Sequence, residues 1–236
     1  MPEHKILMLP MPIGPKSLEE MKTDLFIHRM RITKKWVAEN ARTTRRFLSS
    51  LQLGIPIQEL EIFELNDGFS LQELHDFLKI NIQNDHIGVT SEAGLPGMAD
   101  PGSEVAKWAH RNDISVEVFT GPGSVYMALC GSGLNGQQFT FHGYSPVKDE
   151  ALKTFIQEIS AEASKSGYTQ IFIETPYRSD RLMGALLKWM PENLCLGIAS
   201  GLHTEASFVK TKTAAEWKKR IPVLGKQPTV FLVGKN

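Results

Sequence analysis

Hydrophobic positions along the chain alternate between two patterns. Short apolar runs occur at Ile6–Leu9, Trp36–Ala38, Ile62–Leu65 and Ile87–Thr90, with a weaker alternation over S-V-E-V-F, residues 115–119. Between them apolar residues recur at helical spacing: a partly helical stretch from Ser17, then Phe47, Leu48 and Leu51 with Gly54 as a stop, then Leu71, Leu74, Leu78 and Ile82. A further helix is expected from Pro101 to about Arg111, and a short one over V-Y-M-A-L-C after T-G-P-G-S. Strand and helix thus alternate up to about residue 120, which predicts a parallel sheet covered on both faces. Beyond a break at Gly131–Gly136 come a strand at 139–144, a helix from Lys148 to Ala163, a strand at Gln170–Glu174 and a helix from Asp180 to Met190. The later strands, Leu196–Ala199, Phe208–Thr211 and Thr229–Val233, share only one short helix, Ala214–Lys219, so this second sheet should be mixed. The expected fold is α/β, with two α/β domains over residues 1–120 and 121–236.

The stretch around which the chain is organised runs H-I-G-V-T-S-E-A-G-L-P-G-M-A-D-P-G-S-E, His86 to Glu104. A buried strand gives way to a loop rich in glycine and proline, and Asp100 and Pro101 are placed to open a helix. In open α/β sheets, ligands bind beyond such carboxyl ends of strands. The alternative is a βα connection without a ligand. P-M-P-I-G-P, Pro10 to Pro15, is a second stiff loop, with φ fixed at three prolines. G-S-G-L-N-G at Gly131–Gly136 matches G-x-G-x-x-G in letters, but it follows a helix and precedes a strand, the reverse of a dinucleotide fingerprint.

Composition narrows the picture further. The 236 residues are 42% hydrophobic and 22% charged, as in a soluble globular protein, and no run reaches the ~18 apolar residues of a membrane span. The first residues lack the long apolar region of a secretory signal, so a cytoplasmic location is expected. Cys130 and Cys195 are far apart and the seven histidines show no ligand spacing, so no metal is expected. A net charge of zero argues against a dedicated DNA-binding domain. Between His28 and Arg46, however, seven basic residues (Arg29, Arg31, Lys34, Lys35, Arg42, Arg45, Arg46) face a single acid, Glu39, a cluster suited to phosphate contacts or to a solvated helix face.

Taken together, P-M-P-I-G-P, A-E-N-A-R-T-T, S-E-A-G-L-P-G-M-A-D-P-G, T-G-P-G-S-V-Y-M-A-L, G-Y-S-P and I-E-T-P-Y-R resemble, in order, the motifs of the tetrapyrrole methylase superfamily of S-adenosylmethionine-dependent methyltransferases. The similarity is to the branch that 2′-O-methylates a cytidine of small-subunit ribosomal RNA. It implies two α/β domains with a cofactor cleft between them, in a homodimer. It also implies S-adenosylmethionine as cofactor, with S-adenosylhomocysteine as product, contacting Pro12, Ile13, Glu92, Gly94, Leu95, Ser124, Val125, Ile173, Leu202 and Thr229. The departures fall on the substrate side. The branch's acid-Asp-Thr-Arg is here Glu39, Asn40, Ala41, Arg42; its Arg-Glu is Ser200, Gly201; and its Gly-Glu is Gln227, Pro228.

Methyl transfer from a sulfonium needs alignment of the reacting atoms more than catalytic side chains. A ribose hydroxyl would still gain from a base or from a cation near the developing oxyanion, and Glu39, Arg42, Glu174 and Arg178 are the candidates. Structural ion pairing is the alternative for each. The leading reading is a ribosomal RNA ribose methyltransferase. The others are a C-methyltransferase acting on a tetrapyrrole or another small molecule, and a cofactor-binding protein without turnover.

Overall fold

A computed structural model describes residues 4–66 and 68–235. The chain divides between Gly123 and Ser124 into two compact units. The first contains β1 (Ile6–Met8), α1 (Ser17–Met21), α2 (Asp24–Ile32), β2 (Lys35–Ala38), α3 (Ala41–Ser50), β3 (Glu61–Glu64), α4 (Leu71–Asn81), β4 (Ile87–Thr90), α5 (Ser103–Arg111) and β5 (Val116–Val118). Its strands form one parallel sheet in the order β3-β2-β4-β1-β5. Side chains alternate across it as the pleat requires. Leu7, Leu9 and Trp36 pack with Phe26, Met30, Phe47 and Leu48 of α2 and α3 on one face. Ile6, Met8, Val37, Ile87 and Val89 pack with Leu74, Leu78, Val105 and Trp108 of α4 and α5 on the other. Gly88 has to be a glycine here, because a Cβ would lie 2.6 Å from the fully buried Trp36 indole.

The chain after β1 crosses towards β2 on one face, and the chain after the neighbouring β4 crosses towards β5 on the other. The loops following β1 and β4 therefore leave in opposite directions, which makes this the switch point where α/β sheets accept ligands.

At the opposite end of these strands the Lys5 N–H donates to His86 Nδ1 at 3.0 Å. Burial, and then the charge of Arg29, hold the His86 pKa below its ordinary value. A depressed histidine contributes stability that is present above the unfolded pKa and lost as pH falls through the folded one. Unfolding midpoints should therefore drop between about pH 7 and pH 5, and His86→Gln should flatten that slope. Equal slopes for the two proteins would refute this.

The second unit contains α6 (Ser124–Ser132), β6 (Phe139–Tyr144), α7 (Asp149–Ser166), β7 (Thr169–Glu174), α8 (Ser179–Trp189), β8 (Cys195–Ser200), β9 (Phe208–Thr213), α9 (Ala214–Lys219) and β10 (Thr229–Gly234). The sheet order is β6-β7-β10-β8-β9, and only the β6–β7 pair is parallel. α7 buries Leu152, Ile156, Ile159 and Ala163 at helical spacing against Phe172 and Phe231, and ends at Gly167 with φ 74°. α6 covers the other face through Val125, Ala128 and Leu129. The two α/β units and the parallel and mixed sheets agree with the expectation.

Candidate active site

In the first unit, the loop after β1 and the loop after β4 are tied by a two-way backbone bridge. The Met11 N–H donates to Gly94 O at 2.8 Å, and the Gly94 N–H donates to Met11 O at 3.0 Å. Gly94 has φ 80°, a left-handed conformation natural to glycine. A Cβ there would sit 3.4 Å from Ile13 Cγ2 and from the Pro122 carbonyl oxygen. Gly121, after β5, lies so close to Pro10 that a Cβ would fall 2.2 Å from the proline ring. Three loops thus meet at the switch point.

The shape of the Pro10–Pro15 loop depends on more than its prolines. Buried Ser17 accepts the Ile13 and Gly14 N–H groups at 3.0 and 3.3 Å and donates to Gly14 O at 2.7 Å. Ser17 is a functional position that the family motifs do not contain, although a serine three residues past a glycine turn is a recognisable local cap. Asp100 also differs from expectation. Its carboxylate accepts the Gly97 and Gly102 N–H groups, closing the loop on itself, so α5 begins at Ser103 and Pro101 lies before it.

Glu39 joins the end of β2 to this loop: its carboxylate accepts the Glu92 N–H at 2.9 Å, and its own N–H donates to Thr90 O. Burial above all, and then the charges of Asp100 and Glu92, push its pKa up, against the lowering effect of the Glu92 N–H. A carboxylate with a raised pKa is a better proton acceptor near neutrality. Asn40 caps α3 by accepting the Thr43 N–H at 2.9 Å, and the Ala41 N–H goes to Glu64. The exchange of Asp for Asn in E-N-A-R therefore keeps the cap and loses only charge. Arg42 is exposed in the first turn of α3.

In the second unit the remaining positions gather at one end of the mixed sheet. Val125, Ile173 and Leu202 belong to a single apolar cluster. Ser124 opens α6 beside it, and Thr229 is in register with both Glu174 and Ser200, with its hydroxyl 3.0 Å from that of Ser200. Glu174 is 2% exposed and fully engaged: it pairs with Arg178 and accepts the Ser145 hydroxyl and the Thr175 N–H, each at 2.6 Å. Arg178 also donates to Ser145 O. This arrangement pins the G-Y-S-P turn and leaves no oxygen of Glu174 without a donor. A cavity of about 300 Å³ lined by Cys195, Lys212 and Glu216 lies at the other end of β8, away from these residues. Among the described residues no group of three or more His, Cys, Asp or Glu could hold a metal, and no helix is long and apolar enough to cross a membrane.

The residues present suit S-adenosylmethionine. Each unit offers loop backbone with apolar neighbours at one sheet end, and Gly94 leaves open the space that a Cβ would occupy beside Ile13.

The architecture is that of a known methyltransferase. The structure matches the crystal structure of the methyltransferase CobJ with a TM-score of 0.63, covering 99% of this chain and 95% of that one at 14% identity. In sequence, the chain is similar to proteins named ribosomal RNA small subunit methyltransferase I. It is 26% identical over 188 residues to the one from Campylobacter fetus and 30% identical over 175 residues to one from Streptococcus pyogenes. These alignments cover 79% and 73% of this chain but 67% and 56% of the relatives, so the chain spans little more than half to two thirds of their length. No family model matches. The resemblance read from the ordered motifs is thus borne out by these relatives.

Proposed function

We propose that the chain is an S-adenosylmethionine-dependent methyltransferase whose acceptor is a ribose 2′-hydroxyl of small-subunit ribosomal RNA. The observation that carries this reading is that the positions carried over from the family motifs fall, within each unit, at one end of its sheet, in a chain whose relatives are named for that RNA. The positions carried over as cofactor contacts are Pro12, Ile13, Glu92, Gly94 and Leu95 in the first unit, and Ser124, Val125, Ile173, Leu202 and Thr229 in the second.

When bound, the cofactor supplies an electrophilic methyl group on a sulfonium. The chain's own residues have to position the acceptor and take up its proton. With the cofactor bound, the Glu39 carboxylate would take up the proton that the acceptor hydroxyl gives up on methylation. Arg42, three residues further along the chain in the first turn of α3, offers a cation to the developing oxyanion. Glu174 and Arg178 serve as a structural pair that holds the second unit's loops.

Transfer of labelled methyl from S-adenosylmethionine to small ribosomal subunits, with the modified nucleoside identified by mass spectrometry, tests this. Label in a base, or none in RNA, would overturn it. In the same preparation Gly94→Ala should weaken cofactor binding on the order of tenfold by calorimetry. Its left-handed strain should cost about 1–2 kcal/mol of stability. Unchanged affinity would remove Gly94 from the site.

A further inference from the structure

The basic run between residues 28 and 46 is not one patch once folded. Arg29 pairs with Glu117, Lys35 pairs with Glu61, and the Arg31 Nε–H is spent on Leu53 O. Arg42, Arg45 and Arg46 are different. All three are exposed on α3, and no carboxylate among the described residues pairs with them.

Their placement is unfavourable for the isolated helix. α3 has no acid in its first turn, where the helix dipole favours one, and carries three arginines in its first two turns. Arg42 and Arg46 stand at i and i+4, where like charges repel. Meanwhile the opposite face of α3 buries Ala41, Thr44, Phe47 and Leu48 in the core, so the helix is anchored and the arginine row has a fixed direction. Along the axis Arg46 stands about 6 Å beyond Arg42, while Arg45 and Arg46 are only about 1.5 Å apart and about 100° apart around the helix, so the three guanidinium groups fan out over the exposed face.

We infer that the exposed face of α3 is a docking rail for the phosphate backbone of a single RNA strand, with Arg45 and Arg46 each meeting a phosphate and Arg42 directed to the nucleotide presented to Glu39. A ligand of this chemistry relieves the repulsion that the free helix carries. The inference rests on the RNA reading above and adds the surface that reads the strand. It predicts sequence-independent affinity, since phosphate contacts position without specifying bases.

The test is binding of a labelled single-stranded RNA of mixed sequence across a salt series, for the wild type and for Arg45→Gln/Arg46→Gln, with S-adenosylhomocysteine affinity measured by calorimetry as the fold and site control. Each lost phosphate contact removes about 0.7 from the slope of log K against log salt for a single strand. The double variant should therefore bind with a slope shallower by roughly 1 to 1.5 and an affinity lower by about tenfold or more at moderate salt. Affinity for S-adenosylhomocysteine should not change. A wild type that binds RNA and a double variant with the same slope and affinity would overturn the rail and leave the methyltransferase reading intact. A wild type that binds no RNA overturns both. Loss of S-adenosylhomocysteine binding in the double variant would show that α3 serves the fold or the cofactor, and also counts against the rail.

Discussion

Arg178→Ala should destabilise the protein by about 3–5 kcal/mol, as expected when one partner of a buried ion pair is removed. The cause is Glu174, whose carboxylate is 2% exposed and depends on Arg178 for its charge balance. Ser145 and Thr175 would remain as donors, but they cannot neutralise it. Adding Glu174→Gln to Arg178→Ala should recover much of the loss, because glutamine keeps an acceptor for the Thr175 N–H without burying a charge. Urea unfolding of the two variants decides the matter. A cost below about 1 kcal/mol for Arg178→Ala would mean the pair behaves as a solvated surface bridge. Arg178 would then return as a candidate for the chemistry.

Glu39→Gln should move activity and stability in opposite directions. Glutamine can still accept the Glu92 N–H, so the tether between β2 and the loop after β4 persists. Losing the proton acceptor should lower methyl transfer by on the order of 10²-fold or more. For stability, the folded pKa of Glu39 lies above its ordinary value. Such a group stabilises the fold below its unfolded pKa, and that contribution is lost as pH rises through the folded pKa. At neutral pH the charged carboxylate is therefore a liability, and the variant should melt at the same or a higher temperature than the wild type. The difference should shrink in acid. A variant that melts lower at neutral pH yet transfers methyl normally would make Glu39 a structural residue.

Much of this site was readable from residue order because loop chemistry is local. Gly94, with φ 80°, and the proline-rich loop both declare themselves in a window of a few residues. Strand positions such as Ile87–Thr90 and Thr229–Val233 were equally plain, since β-branched runs bounded by turns have few alternatives. What could not be read depends on distant partners. The Glu39 contact to Glu92 spans 53 positions, and the Ser145 contact to Glu174 spans 29. No periodicity encodes either. α5 begins two residues after the expected Pro101 for a different reason: an Asp-Pro pair can cap a helix or close a loop ahead of it, and only the Gly97 and Gly102 N–H groups decide which. The long basic run likewise reads as one feature in sequence, whereas Glu117 and Glu61, remote in the chain, neutralise part of it.

The position of β10 has a consequence for how the molecule is made. It is the last strand of the second unit in chain order, yet it lies between β7 and β8 and pairs with both. On the ribosome, β6–β7 and β8–β9 can each pair as they emerge, but the two halves have no shared edge until residues 229–234 arrive. In the first unit β5, the last strand to emerge, is an edge strand, and the other four can already be paired before it is synthesised. The first unit can therefore fold during synthesis, while the second keeps two open, apolar strand edges until its final strand inserts. The delay in closing such non-local pairs is the period in which a growing chain is most prone to mispairing.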